Sequence, residues 1–342
     1  MKRKQSGSKI MMRLIKLVKP LAFFMVLAVI LGVTGFLCAI QITVLGSMTL
    51  LTAAGINGGL AIKTGCICII IFAVLRGFLH YGEQACNHYI AFKLLAIIRD
   101  KVFKSLRRLT PAKLEGKDKG NLISLITSDI ELLEVFYAHT ISPICIAFLT
   151  SLVMLIFIGR YSSWLMLVAL AAYITVGIII PLVSSKFNKN IGMTYRENSG
   201  ALSGYVLDSM RGLLESIRYN STDTRLNEMN EKTDELNSLQ KKLKKIEGRN
   251  ISITDISIIF FSITMLLVAI CLYQKGTIGF DGLIVSTVAM MSSFGPVAAL
   301  SNLAGNLTHT LASGERVLSI LDESPVVEEN ISGKEVEFDG ME

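Results

Sequence analysis

Residues 60–108 read LAIKTGCICIIIFAVLRGFLHYGEQACNHYIAFKLLAIIRDKVFKSLRR, an apolar run that passes without a helix breaker into a charged one. Leu60 to Leu79 is apolar enough to cross a bilayer, and the helical pattern continues from His80 to Arg108. A helix of about 49 residues, at ~1.5 Å each, is roughly 70 Å long. A hydrocarbon core is only ~30 Å thick. More than half of such a helix must stand in water, and three further apolar runs continue into charge in the same way.

The rest of the chain sets the class. Of its 342 residues 51% are hydrophobic, and the mean hydropathy is +0.55, too apolar for an ordinary soluble domain. Six runs, about 20–51, 60–80, 136–159, 163–184, 254–274 and 281–305, each approach the ~20 residues a crossing helix needs. The first is too long for the h-region of a signal peptide. The expected fold is an all-α polytopic membrane protein of six long helices with two cytoplasmic helical hairpins.

Lysine and arginine set the orientation. Residues 1–19 hold seven (Lys2, Arg3, Lys4, Lys9, Arg13, Lys16, Lys19) and no acid, and loops 81–135 and 184–252 hold nine and twelve. The other connections carry only Lys63, Arg160 and Lys275. Both termini and both long loops are therefore expected on the cytoplasmic side. The net charge of +7 follows from topology and does not argue for nucleic acid. The six cysteines lie in or beside apolar runs and read as small hydrophobes.

Along the chain, Lys9–Lys19 alternates cations with Ile10, Met11, Leu14, Leu17 and Val18, the pattern of a helix lying on a leaflet. Leu95, Ile98, Val102, Leu106 and Leu109 form a packed face, which Thr110-Pro111 ends. The polar stretch Leu114–Gly120 turns the chain. Ser142-Pro143 and Pro181 are expected to kink their helices. In the second loop Val206, Met210, Leu213 and Ile217 mark an apolar seam, which resumes after the polar turn Asn220-Ser221-Thr222-Asp223 at Leu236, Leu239, Leu243 and Ile246. Those intervals match helix-on-helix packing.

Polar residues within apolar runs are functional candidates, because each is costly in lipid unless paired or hydrated. Arg76, His80 and Glu83 share one face of the second run. They read either as a cavity-facing cluster for an anionic or zwitterionic substrate, or as an internal Arg–Glu pair with Arg76 snorkelling. Asn302, Asn306 and His309 repeat the spacing in the sixth run, where polar groups can equally join neighbouring helices. The four histidines form no spaced ligand set, so no metal site is expected.

Three stretches carry a likeness to a known family. They are Arg99-Asp100-Lys101-Val102-Phe103 through Gly120-Asn121-Leu122-Ile123-Ser124, then Thr127-Ser128-Asp129-Ile130, and the tail Ala312-Ser313-Gly314-Glu315-Arg316-Val317-Leu318. In order and spacing they resemble the transmembrane domain of ABC exporters (the type-1, or type IV exporter, fold) over nearly the whole chain. The narrower likeness is to CydC-type subunits of thiol exporters, through His88–Leu95, Thr140-Ile141-Ser142-Pro143 and Phe294–Leu300. There a histidine matching His88 is associated with haem, and an arginine precedes it by four residues, where this chain has Gln84.

The resemblance implies an ATP-driven permease. Two copies, or this chain and a second half-transporter, would share one cavity in a bacterial cell membrane. Nucleotide-binding domains in cis or trans would drive it, with the sixth run lining the path. Force would enter at coupling turns bearing Glu115, Lys117 and Asp118 in the first hairpin and Thr222, Asp223 and Arg225 in the second. No Gly-x-x-x-x-Gly-Lys-Ser/Thr loop occurs in the 342 residues, so ATP and Mg belong to a domain outside them. The expected plan is an interfacial helix at 1–19, a transmembrane domain at 20–312, a linker at 313–334, and the opening strand of an ATPase domain at 335–342. A membrane assembly or regulatory protein that keeps this fold without hydrolysing ATP is the competing reading.

Overall fold

The computed structural model describes residues 7–56, 60–110 and 125–325. They form helices α1 (Gly7–Leu17), α2 (Ala22–Ala53), α3 (Ile62–Leu109), α4 (Ile130–Phe136), α5 (Ser142–Gly159), α6 (Ser163–Ile174), α7 (Ile180–Arg211), α8 (Leu213–Arg218), α9 (Thr222–Gln274) and α10 (Phe280–Leu321). Six helical segments are long and apolar enough to cross a membrane, in the places the sequence indicates. α3 has 48 residues and α9 has 53. At ~1.5 Å per residue they are about 70 and 80 Å long.

Two of the prolines act through the turn before them. Pro143 lies at the start of α5 and Pro181 at the start of α7, and each follows a wider π-helical turn, Tyr137–Ile141 and Thr175–Ile179. A proline has no N–H to give the fourth carbonyl back, and its ring collides with that carbonyl. Widening the preceding turn by one residue absorbs both defects without ending the helix. The expected kinks are thus π-turns in continuous rods, joining α4 to α5 and α6 to α7.

The helices bury two separate apolar cores. One lies among the spans, around Ile40, Met154, Leu165, Tyr173, Met265, Leu283 and Phe294. The other gathers Ile10 and Leu14 of α1, Val18 just after it, Ile90 to Leu109 of α3, Ile130 to Tyr137, and Val317 to Ile320 of α10. In this second core Ile98, Val102, Leu106 and Leu109 are buried as the sequence indicates, and Leu95 packs at its edge. The long helices connect the two.

Two sequence expectations are revised here. The apolar stripe of α1 does not stay open to its surroundings: Ile10 and Leu14, with Val18 just past the helix, are buried against protein, and Tyr137 Oη donates to the Leu14 carbonyl at 2.8 Å. A stripe that fits a membrane interface fits an apolar groove equally well. The seam from Val206 to Ile217 also fails to form, because Gly212 separates α7 from α8 and leaves Met210, Leu213 and Ile217 71%, 51% and 59% exposed. The later seam holds: Leu236, Leu239, Leu243 and Ile246 are all half-buried.

Leu14 is the centre of the second core. It is fully buried, and it fills the space above Gly314, where an added Cβ would stand 2.8 Å from Leu14 Cδ1. Leu14→Ala should destabilise this end of the molecule by about 2–5 kcal/mol, the usual range for a core cavity. Denaturant unfolding in detergent micelles measures it, and a value under about 1 kcal/mol would mean that α1 is not anchored there.

Candidate functional site

Three sets of polar side chains stand out against these cores. The first lies at the exit of α10. Asp129 ends the turn before α4 and is buried. Ser313 Oγ donates to its Oδ1 at 2.9 Å, and Arg316 Nη1 lies 3.1 Å from its Oδ2. A buried carboxylate needs both partners, because removing one leaves an uncompensated charge. Glycine at 314 lets the same turn of α10 close onto Leu14 and Leu133. The Thr127–Ile130 and Ala312–Leu318 stretches, some 180 residues apart in sequence, thus meet as one contact.

The second set ties α7 to α9. Asn250 Nδ2 donates to Ser184 Oγ, and Asn198 Nδ2 donates to Glu235 Oε1 at 2.9 Å. Tyr205 Oη donates to Glu228 Oε2 at 2.7 Å, and Arg225 Nη1 to Ser209 Oγ at 3.2 Å. The paired residue numbers sum to 434, 433, 433 and 434, so the antiparallel arms keep one register throughout. Lys232 Nζ and the Arg225 guanidinium stand 5.5 and 6.0 Å from the Tyr205 ring centroid, within the range of a cation–π contact.

The arms end in α8 and a turn at Asn220, whose φ of 51° is one that asparagine tolerates better than most residues. An apolar cavity of about 260 Å³ opens there, lined by Val206, Met210, Leu213, Leu226 and Met229 together with Arg225 and Thr222. Leu214 and Tyr219 beside it are 69% and 82% exposed. A patch of large side chains this open marks a binding surface.

The third set lies on α3. Glu83 is buried, with His80 Nδ1 3.2 Å from Oε2 and Asn87 Nδ2 3.5 Å from Oε1. Gly32 of α2 makes room for Ile146 and, beside it, for the carboxylate, since a Cβ there would stand 2.9 Å from Ile146 Cγ1 and 3.2 Å from Glu83 Cδ. The His80 side chain is 64% exposed. Arg76 is exposed and makes no ion pair among the described residues. Glu83 is therefore paired within its own helix by histidine rather than by arginine.

The expected site residues divide accordingly. Arg76, His80 and Glu83 do share one face, and Arg225 and Thr222 do line the tip, though as the first turn of α9 rather than as a loop. Asp223 follows in the same turn, where a carboxylate suits the positive helix N-terminus. Glu115, Lys117 and Asp118 lie outside the described residues, as does 335–342. Asn302, Asn306 and His309 lie on α10 with side chains outside the description. His88 is exposed and stacks on Phe92 at 6.2 Å. Gln84 stands four residues before His88, where the likeness expects arginine.

Sequence reading missed the Asp129–Ser313–Arg316 contact, the rungs of the hairpin, and an ion pair between Arg13 and Asp322. The first had a signal, since both of its stretches were already conspicuous. Single polar residues at long separation gave none.

The hydrogen bond from Tyr205 to Glu228, helped by the charge of that carboxylate, pushes the phenol above its ordinary value. A raised folded value means that this contribution is complete below the unfolded phenol value of about 10 and is lost as pH rises through the folded one. Tyr205→Phe should therefore speed amide exchange across 213–229 roughly threefold at neutral pH and remove its alkaline step. Hydrogen-exchange mass spectrometry reads both, and an unchanged alkaline step would assign it elsewhere.

Comparison with known proteins agrees with this architecture. A family profile described as the ABC transporter transmembrane region matches residues 21–297. A probable ABC transporter ATP-binding/permease protein of Haemophilus influenzae is 45% identical over 94% of this chain and 58% of its own length. An ATP-dependent lipid A-core flippase of Colwellia psychrerythraea is 30% identical over 52% of this chain and 29% of its own. The glutathione/L-cysteine transport protein CydC of the same Haemophilus strain is 22% identical over 75% and 45%. The chain thus spans about half or less of the length of most of these relatives. Six apolar helices, the two stretches that meet at Asp129, and the matched profile place this multi-pass chain in the ABC transporter transmembrane family.

Proposed function

We propose that the chain is the permease part of an ATP-driven exporter in a bacterial cell membrane, with both termini and the extended helix ends in the cytosol. Two such domains form one cavity, and nucleotide-binding domains grip the hairpins. The exposed apolar tip around Leu213 and Leu214 is the observation that carries this reading. A channel gains nothing from ~80 Å helices ending in an apolar surface, whereas a device driven from the cytosol needs a handle at that place. The rungs from Ser184–Asn250 to Ser209–Arg225 keep the arms in register, so that force applied at the tip reaches the spans.

The exposed guanidinium of Arg76 and the His80–Glu83 pair make α3 a surface for anionic or zwitterionic cargo. Related proteins bear names for a lipid A-core and for glutathione with L-cysteine. Both fit that description of cargo.

Leu213→Asp with Leu214→Asp changes only exposed positions, so folding should survive. In the full-length protein in proteoliposomes it should lower ATP hydrolysis at least about tenfold, since charge in an apolar contact is costly. Wild-type hydrolysis would refute the docking role of the tip. Arg76→Gln should weaken stimulation of that hydrolysis by glutathione or by lipid A-core roughly threefold to tenfold while leaving the basal rate intact. Equal stimulation of both proteins would remove Arg76 from the cargo surface.

A further inference from the structure

The exit of α10 breaks a local rule. Its last turn holds no basic residue, and Asp322 caps the end. A helix C-terminus carries a partial negative charge, so a carboxylate there is unfavourable and a cation is what it wants. The cations come instead from other elements. Arg13 of α1 donates from Nη1 and Nη2 to the two carboxylate oxygens of Asp322, at 2.6 and 2.5 Å, across 309 residues of sequence. Arg108 of α3 donates to the Glu323 carbonyl at 3.4 Å. Ser105 Oγ, also on α3, donates to the Ile320 carbonyl at 2.9 Å. One step inward, Leu14 closes on Gly314 and its carbonyl is held by Tyr137.

We propose that Arg13 is a positioning residue for transmission: through Asp322 it fastens α1 to the end of α10 and keeps that end helical. This role rests on the exporter reading and adds a second route to it: besides the hairpin tips, force from a nucleotide-binding domain reaches the spans through the chain beyond Asp322. A frayed end would dissipate that force. An end held by α1 and α3 delivers it to the core formed by α1, α3, α4 and α10. Arginine suits the task because its planar fork meets both oxygens at once and fixes direction as well as distance. The N-terminal helix is then a working part of the transmission and not merely a lead into the first span.

Charge reversal and exchange test this in the full-length protein in proteoliposomes. Arg13→Glu should speed amide exchange in residues 316–325 and lower ATP hydrolysis, each by roughly threefold to tenfold. Asp322→Arg is the decisive single variant, because it places a cation where the helix end prefers one and yet sets it against Arg13. Faster exchange in it supports the clamp; unchanged or slower exchange shows that local helix electrostatics alone govern the end, and overturns it. Arg13→Glu combined with Asp322→Arg should restore both readouts, and failure to restore exchange also overturns the contact. Hydrolysis at the wild-type rate in variants with fast exchange overturns the transmission role. A wild-type protein that hydrolyses no ATP overturns the exporter reading and that role with it, while exchange still judges the contact.

Discussion

A helix more than twice as long as the hydrocarbon core of a bilayer is thick must be stable in two solvents, and the rest of this structure follows from that. In lipid, apolar side chains gain nothing by leaving their surroundings, so spans are held by close packing and a few polar contacts. The first core shows this in its small residues, Ala169, Ala172, Ala269 and Ala289, all fully buried, and in Gly65, which lies directly against Thr49. In water the hydrophobic effect returns. The second core shows it in Leu14, Ile90, Leu94, Ile98, Leu133 and Phe136, large side chains with almost no exposure.

The junction between these regimes is where polar chemistry gathers. Glu83 and Asn87 sit on α3 between its apolar run and the leucine-rich face that begins at Ile90. Ser184 and Asn250 meet where α7 and α9 leave their apolar stretches. The π-turn Tyr137–Ile141 occupies the same zone before the third span, whereas Thr175–Ile179 lies within the fourth. Lipid-exposed backbone defects are not tolerated, but a widened turn beside packed neighbours is.

Much of this was legible in the chain. Apolar run length gave the six spans, and the 3.6-residue period gave the buried face of α3, because both signals are local. The α1 stripe was legible as amphipathic but not as to which apolar surface it meets, since the same spacing serves a leaflet and a groove. The Val206–Ile217 seam was misread because Gly212 weighs little in a periodicity count yet breaks the helix. The contacts of Asp129 with Ser313 and of Arg13 with Asp322 span most of the chain, and only the folded arrangement brings them together. On α3 the sequence placed Arg76, His80 and Glu83 on one face, while the choice of histidine over arginine as partner depended on rotamers.

The constant register of α7 against α9 has a consequence for how such a chain can vary. Rungs at Asn198 and Tyr205 are seven residues apart, as are those at Glu235 and Glu228. Seven residues are close to two helical turns, so each rung returns to the same side of its helix. Removing one residue from a single arm would swing everything beyond it by about 100° and pull every later rung out of reach. Heptads lost or gained together on both arms would leave the pairing intact and move the tip by about 10 Å. The length of this hairpin is therefore quantised, and evolution can adjust its reach only in matched steps.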